Sequence, residues 1–464
     1  MEKKSFDLAV IGAGPGGYVA AICAAQAGKT VCLIEKNHLG GTCLNVGCIP
    51  TKTLLSHADV YHQVLHAEEF GISTGPISFD FSKMKARKDR VVEQIRKSLG
   101  GLLQSNQIAI INGQAEFISP QELKVVGDSP HLITAENIII ATGSLPLDLP
   151  AFPCDHKKVF NSTSILEQSE LPKTLAIVGG GYIGCEFASL YAELGVKVII
   201  LEALPSIIYL QGKVLADALT RAFVRKGIEI HTSVRVEGID QSGNGLQVRL
   251  QDKPSIACDA ALISVGRKIC SERLGLEKAG VLTDSKGAII VNEKMETSVP
   301  GIYAIGDVTG KSMLAHVASH QGLVAARCAL GQQARMHYNA VPAVIFTHPE
   351  IATVGMTLEM AQEAGFSAKV GKFPFQALGK SIAANATEGF AQIVLDQKTG
   401  QILGAQVIGH DAATLIAEMG LAIANELTVE CLTETIHAHP TLAEAWLEAG
   451  LIANNTPIHF PKGK

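Results

Sequence analysis

Residues 6–17 read FDLAVIGAGPGG and residues 174–184 read TLAIVGGGYIG, and in both a short apolar run ends in a GxGxxG turn. After the first turn an alanine-rich, helix-favouring stretch runs to Gly28, and a second strand over 30–34 closes on Glu35. After the second turn a helix through Leu194 leads to a strand over 197–201 that closes on Glu202. The first glycine and the closing acid stand 23 residues apart in each copy, Gly12 to Glu35 and Gly179 to Glu202. One GxGxxG is a weak signal, but two, each opening a strand–turn–helix–strand unit and ending on an acid, point to two dinucleotide-binding units. The glycines have separate tasks: a tight turn, close approach of a pyrophosphate to the backbone, and close helix–strand packing. The phosphate sits on free N–H groups at the positive end of the helix, and the acid accepts hydrogen bonds from a ribose diol. Gly12, Gly14, Gly17 and Glu35 therefore form one candidate site, and Gly179, Gly181, Gly184 and Glu202 the other. The plain alternative is a pair of Gly-rich turns in an α/β protein without ligand. Glu202 would repel a 2′-phosphate, and no Arg lies between residues 198 and 220, so the second site favours NAD over NADP.

The whole chain is compatible with this reading. Its 464 residues have room for about three domains, and 47% apolar content excludes intrinsic disorder. Forty-five glycines with only 5% aromatics suit an α/β chain with buried parallel strands. A net charge of −5 and no long basic run argue against a nucleic-acid binder. The N-terminus places two lysines before an apolar run, as a signal peptide does, but Pro15 and the glycines interrupt it. No stretch reaches the roughly 18 unbroken apolar residues of a membrane span, and about six residues before the first strand leave no room for a transit peptide. The expectation is a soluble, cytoplasmic protein. The ten cysteines are scattered, and most read as small buried thiols in a reducing compartment.

Each nucleotide unit is closed by a later apolar strand and glycine: 137–141 with Thr142 and Gly143, and 260–265 with Gly266 and Arg267. A further strand over 301–307 ends in Asp307. From about residue 340 the character changes, and two runs, 390–396 and 402–408, flank Lys398-Thr-Gly400 as an antiparallel hairpin. Helices are expected over 412–425 and 442–452. The first is apolar on nearly every face and so is buried, within its domain or against a partner. The fold class is α/β, with two Rossmann-like domains and a C-terminal α+β domain. The expected domains are 1–148, 149–270, a central region 271–339 that belongs with the first, and 340–464.

Two segments carry redox chemistry. Residues 40–52 read GGTCLNVGCIPTK, with Cys43 and Cys48 five apart and no second cysteine pair nearby, unlike a zinc site. Residues five apart on a regular helix point about 140° from each other, so a disulfide there needs a distorted turn, which Gly47 and Pro50 can supply. An easily reduced bond just after the first nucleotide unit suits a redox catalyst. At the other end, residues 437–445 read HAHPTLAEA. Thiol exchange gains from a nearby base, and Glu444 can reach back to hold His439 as that base. A histidine satisfied at an interface is the alternative. His62 and His66, one turn apart, lack a third ligand and read as a solvated helix face; no metal is expected.

GGTCLNVGCIPTK, the two GxGxxG units, ATGS at 141–144, VGR at 265–267, GIYAIGDV at 301–308, THPEIATVG at 347–355 and HAHPTLAEA together resemble the flavin-dependent pyridine-nucleotide disulfide oxidoreductases nearly end to end. Within that family they resemble the branch that oxidises dihydrolipoyl groups. The resemblance implies FAD in the first unit, with Gly41, Thr42, Ala115, Thr142 and Ala315 among its neighbours, Glu35 on the adenosine ribose and Asp307 on the ribitol. It implies that Cys48 faces the flavin, that Cys43 exchanges with substrate, and that Lys52, paired with Glu186, lies near the flavin's reactive nitrogen. NAD would lie on Gly179–Gly184, including Tyr182 and Ile183, with Glu202, Val234 and Gly266. His439 and Glu444 would serve the cysteines of the other subunit of a homodimer, through the C-terminal dimerisation domain. The implied partners are the lipoyl domains and acyltransferase core of 2-oxo acid dehydrogenase complexes, with no nucleic acid and no membrane.

Three positions depart from the family's pattern: Tyr182 where some members are aliphatic, Val317 where a lysine is frequent, and Lys268-Ile-Cys-Ser after Arg267 in place of a Pro/Asn turn. None belongs to the redox relay. The competing readings are an NADPH-driven glutathione-type disulfide reductase, opposed by Glu202, and a mercuric reductase, which wants a C-terminal cysteine pair where only Cys431 stands. A non-catalytic flavoprotein subunit would need neither the cysteines nor the His439–Glu444 pair.

Overall fold

The structure, a computed structural model, describes residues 2–127 and 129–462. Met1, Asp128, Gly463 and Lys464, which fall inside the domain ranges expected above, lie outside the described residues. The chain divides into two compact units. One comprises Met1–Leu149, Asn161–Glu170 and Val265–His337, the other Pro150–Phe160, Leu171–Ser264 and Tyr338–Lys464.

The first unit is built on a seven-stranded sheet. Strand β1 (Glu2–Ile11) lies between β2 (Val31–Glu35) and the strand His131–Ile140, parallel to both. β1 starts at Glu2, earlier than the apolar run suggests, because Glu2–Ser5 pairs with His131–Thr134. The strand His131–Ile140 has two neighbours on its other side. Its first half pairs antiparallel with Glu122–Val126, and its last residues pair parallel with Ile302–Ala304. Helix α1 (Pro15–Gln26) follows β1 and packs against the helix Ala315–Ala329. That contact depends on small residues: a Cβ on Gly16 would meet Ala318 O at 2.8 Å, and one on Gly322 would meet Gly16 O at 2.4 Å. After β2 come two helices, α2 (Gly41–Val46) and α3 (Cys48–Leu65).

The second unit repeats the motif. The strands Glu229–His231, Lys197–Leu201, Thr174–Val178 and Ala260–Ile263 lie side by side in that order and all run parallel. Thr174–Val178 and Lys197–Leu201 occupy the expected residues, and nearly all their side chains are buried, as expected for strands covered on both faces. The C-terminal part of this unit holds a five-stranded antiparallel sheet. Its hairpin of Gly389–Asp396 with Ile402–Gly409 is the one expected from sequence.

Two helices pack on this sheet. Ala412–Ala424 lies against Glu350–Gly355 and Ile402–Gly409, and Glu444–Ala453 lies against Ala368–Pro374. The chain's one tryptophan joins them: Trp446 is fully buried, and its Nε1–H donates to Leu415 O at 3.1 Å. The helix Ala412–Ala424 buries Leu415, Ile416, Met419 and Ile423, whereas Leu421 on another face is 66% exposed. Among the described residues no helix is long and apolar enough to cross a membrane.

Candidate functional site

The glycines of the first unit separate by task. Gly12 has a φ of +103°, and a Cβ there would meet Ala141 O at 2.4 Å. A Cβ on Gly17 would meet Gly12 O at 1.9 Å, so glycine alone lets the helix start so close to the strand. Gly14, at the N-cap of α1, has nothing within 4 Å of its missing Cβ. The space in front of Gly14 is open toward the free N–H groups of a 12-residue helix.

The second unit reproduces each of these relations. Gly179 (φ +104°) lies 2.5 Å, from its missing Cβ, to Ser264 O; Gly184 lies 2.0 Å to Gly179 O; and Gly181, at the N-cap of Tyr182–Glu193, faces open space. Ile183 falls in the first turn of that helix, and Tyr182 is partly exposed at its first position. Val234 donates its N–H to Glu202 O at 3.0 Å, which brings it to the end of the strand that carries the acid. Gly266, which belongs to the first unit, has a φ of +132°.

The acids show a feature the sequence reading missed. Glu35 Oε2 accepts from Ala13 N–H and Oε1 from Asn37 N–H, both at 2.8 Å. Glu202 does the same with Gly180 N–H at 2.6 Å and Leu204 N–H at 2.7 Å. Each carboxylate is thus fixed between its glycine turn and its own loop. Each oxygen keeps lone-pair capacity for a hydroxyl.

In the cysteine segment, Cys43 and Cys48 form a disulfide with their Cα atoms 4.6 Å apart. The distortion comes from Gly47, which separates α2 from α3; a Cβ there would meet Thr42 O at 2.9 Å. Pro50 contributes none, because as the third residue of α3 it occupies a position whose N–H has no helical partner. Cys48 opens the 18-residue α3 and Lys52 follows one turn later on the same face. The segment also touches the nucleotide turn of its own unit: a Cβ on Gly41 would lie 2.7 Å from Gly14 Cα.

Asn45, between the cysteines, fixes this approach by donating through Nδ2 to Leu39 O at 2.9 Å and Gly41 O at 2.8 Å. Its Oδ1 is buried with no hydrogen-bond partner among the described residues. An orphaned acceptor and an open glycine cradle fit a bound nucleotide cofactor that has hydroxyl donors.

Farther along this unit, Arg267 Nε donates to Ser144 Oγ at 2.7 Å, and Ser144 Oγ donates to Asp307 Oδ2 at 2.5 Å. Thr142 Oγ1 donates to Cys270 O at 2.6 Å. The residues after Arg267 form a short strand, Arg267–Ile269, against Ser144–Pro146. The ATGS, VGR and GDV segments are therefore one network, which the separation of Ser144 from Arg267 and Asp307 by more than a hundred residues hides. Ala115 is buried in Gln114–Ser119, and Ala315 is the first residue of Ala315–Ala329.

In the second unit, buried Glu186 accepts from Phe346 N–H at 3.0 Å. His439 Nδ1 lies 2.8 Å from Glu444 Oε1, and Thr441 N–H donates to Glu444 Oε2, also at 2.8 Å. Burial pushes the Glu444 carboxyl up, but the bonds from His439 and Thr441 outweigh it and hold it below its ordinary range. A carboxylate on Nδ1 makes that nitrogen the donor and leaves Nε2 with its lone pair. The ring is 78% exposed, so Nε2 is accessible within this unit.

The remaining thiols contrast with the disulfide pair: burial pushes Cys32 up to about 12 and Cys258 to about 11, and raises Cys185 as well. His62 and His66 stack with ring centroids 4.4 Å apart, and no group of three or more metal-ligating residues occurs among the described residues.

Two dinucleotide turns, a disulfide joined to one of them and a carboxylate-held histidine define a nucleotide-dependent disulfide oxidoreductase. The chain belongs to the pyridine nucleotide-disulphide oxidoreductase family, which residues 6–322 match, and residues 341–450 match the family's dimerisation domain. It is 49% identical over 458 residues to the dihydrolipoyl dehydrogenase of Chlamydia pneumoniae, covering 99% of each chain. It is 43% identical to that of Geobacillus stearothermophilus over 455 residues, 97% of each. Among solved structures, the HOCl-induced flavoprotein disulfide reductase RclA of Escherichia coli superposes with a TM-score of 0.87 at 32% identity, covering 96% of this chain and 99% of that one.

Proposed function

We propose that this protein is an NAD-dependent dihydrolipoyl dehydrogenase, a homodimeric flavoprotein that reoxidises the dihydrolipoyl groups of 2-oxo acid dehydrogenase complexes. The observation that carries this reading is the Cys43–Cys48 disulfide on a loop whose backbone touches the first nucleotide turn at Gly14 and Gly41. Full-length similarity to dihydrolipoyl dehydrogenases supports the choice of substrate.

The chain's residues account for each step. His439 Nε2 takes the proton from one substrate thiol, and Glu444 stabilises the resulting imidazolium. The substrate thiolate attacks Cys43 Sγ, the Cys43–Cys48 bond breaks, and Cys48 leaves as a thiolate. Its place at the first position of α3 lets the helix end stabilise that charge. The imidazolium passes its proton to solvent, His439 Nε2 then takes the proton of the second substrate thiol, and the resulting thiolate attacks the substrate sulfur bonded to Cys43. The lipoyl disulfide closes, Cys43 is released as a thiolate, and two electrons remain on the cysteine pair.

A bound FAD would supply the two-electron chemistry that links the reduced cysteine pair to NAD. Gly12, Gly14 and Gly17 would hold its pyrophosphate and Glu35 its ribose, with Gly41, Thr42, Ala115, Thr142, Asp307 and Ala315 around it. Lys52 would supply a positive charge that favours the reduced form. Gly179, Gly181, Tyr182, Ile183 and Gly184 would hold NAD, with Val234, Gly266 and the ribose-binding Glu202. In the dimer His439 would serve the partner's cysteines, and the exposed side of Ala412–Ala424, marked by Leu421, supports burial against a second copy.

Steady-state turnover of dihydrolipoamide with NAD and with NADP, beside NADPH with glutathione disulfide, tests this function. NADH formation from dihydrolipoamide is expected; NADPH-driven reduction of glutathione disulfide in its place would overturn it.

A further inference from the structure

The loop that carries His439 holds a second histidine with the opposite environment. The side chain of His437 is only 4% exposed. Its Nδ1 lies 3.0 Å from Thr435 O and its Nε2 lies 2.9 Å from Glu418 Oε1. Both ring nitrogens are thus engaged inside the unit, one by a backbone carbonyl and one by a carboxylate, and neither is left facing solvent or substrate. A ring with both nitrogens occupied cannot act as a base. On the same loop, the exposed His439 has one nitrogen held by Glu444 and the other accessible within its own unit.

These contacts make a closed frame. Glu418 and Leu415 lie one turn apart on Ala412–Ala424. Glu418 holds His437 at the start of the loop. Leu415 O accepts from Trp446 Nε1–H, two residues beyond Glu444, at the loop's end. Thr435 is fixed in turn by its Oγ1–H, which donates to Cys431 O at 2.7 Å. The segment between His437 and Glu444 is thus attached at both ends to one rigid helix.

We propose that His437, with Glu418, is a positioning residue for dithiol oxidation: it aims His439 by anchoring the loop to Ala412–Ala424 and takes no proton itself. This rests on the reading of His439 as the base in the proposed function. Removing the anchor frees one end of the loop, and displacement of a reacting group by about 1 Å can cost on the order of a hundredfold in rate.

The test uses the full-length, flavin-loaded protein with His437→Ala, His437→Gln, Glu418→Ala and each of these three combined with His439→Gln. The readouts are kcat and KM for dihydrolipoamide, the rate of NADH oxidation by an artificial acceptor, and flavin content. With His439 present, His437→Ala and Glu418→Ala are expected to lower kcat at least tenfold with KM and acceptor reduction little changed. In the His439→Gln background, His437→Ala is expected to change the residual rate by less than twofold, because its effect passes through a base that is already gone. The same factor in both backgrounds, or a kcat within twofold of wild type, would overturn the proposal. Should His437→Ala lose flavin or fail to fold, His437→Gln and Glu418→Ala provide the same comparison. Full dithiol oxidation by His439→Gln alone would refute the base assignment, whereas loss in that variant with unchanged His437 variants would refute only the positioning role.

Discussion

Gly181→Ala is expected to raise stability slightly while weakening NAD binding, a combination that separates a ligand cradle from a packing site. Gly181 has φ −73° and ψ −176°, a conformation alanine adopts without strain, and its missing Cβ has no atom within 4 Å. The unfolded chain loses freedom on gaining a side chain, so the variant should gain about 0.4–1 kcal/mol of stability. The same methyl group would project into the space where a pyrophosphate must reach the N–H groups of Tyr182–Glu193. Losing or lengthening one hydrogen bond to a charged group costs about 1.5–3 kcal/mol, or roughly ten- to a hundredfold in NAD affinity. Gly184→Ala is the contrast: its Cβ would sit 2.0 Å from Gly179 O, so it should destabilise the unit by about 1–3 kcal/mol. The assay is NAD titration and KM for NAD, with thermal unfolding and flavin content measured on the same preparations. NAD affinity for Gly181→Ala within twofold of wild type, or lost affinity with a clearly lowered Tm, would refute the reasoning.

Three further outcomes follow from the site. Glu202→Ala combined with Leu204→Arg should raise relative NADP use at least tenfold, since Leu204 is half exposed beside Glu202; unchanged NAD preference in steady-state assays would argue against Glu202 as the discriminating residue. Cys43→Ser should retain flavin and a thiolate at Cys48 while exchange with dihydrolipoamide is lost, whereas Cys48→Ser should lack the long-wavelength thiolate–flavin absorbance; identical spectra would remove the division of roles. Because the Glu444 carboxyl lies below its ordinary range, its stabilising contribution is complete above the unfolded value near pH 4.3 and is lost as pH falls through the native value. Glu444→Gln should therefore lower Tm at neutral pH, with the gap closing in acid; a gap that widened on acidification would contradict the sign.

What could be read in the sequence is what local spacing encodes. Thr174–Val178 and Lys197–Leu201 are unbroken apolar runs between glycines, and the structure has strands over those residues. His439 and Glu444 are five residues apart, so their meeting needs only one turn of chain. Features that depend on distant partners could not be read. The polar residues Glu2–Ser5 carry no strand signal and are held extended by pairing with His131–Thr134. The expected strand over 301–307 shortens to Ile302–Ala304, where the ladder to Ile138–Ile140 ends. Ser144, Arg267 and Asp307 meet only after the whole unit has closed. The twin backbone bonds to Glu35 and Glu202 likewise follow from closure of each βαβ turn, although their shared 23-residue spacing was a visible trace.

The most direct test of the proposed electron path is an anaerobic titration of the oxidised flavoprotein with dihydrolipoamide in the absence of NAD. One equivalent should open the Cys43–Cys48 disulfide and produce the long-wavelength absorbance of a thiolate beside the flavin. Adding NAD should then discharge that band with one equivalent of NADH. Failure of dihydrolipoamide to reduce the protein, or direct bleaching of the flavin with no such band in the wild type and no change in Cys48→Ser, would contradict a relay through Cys43 and Cys48.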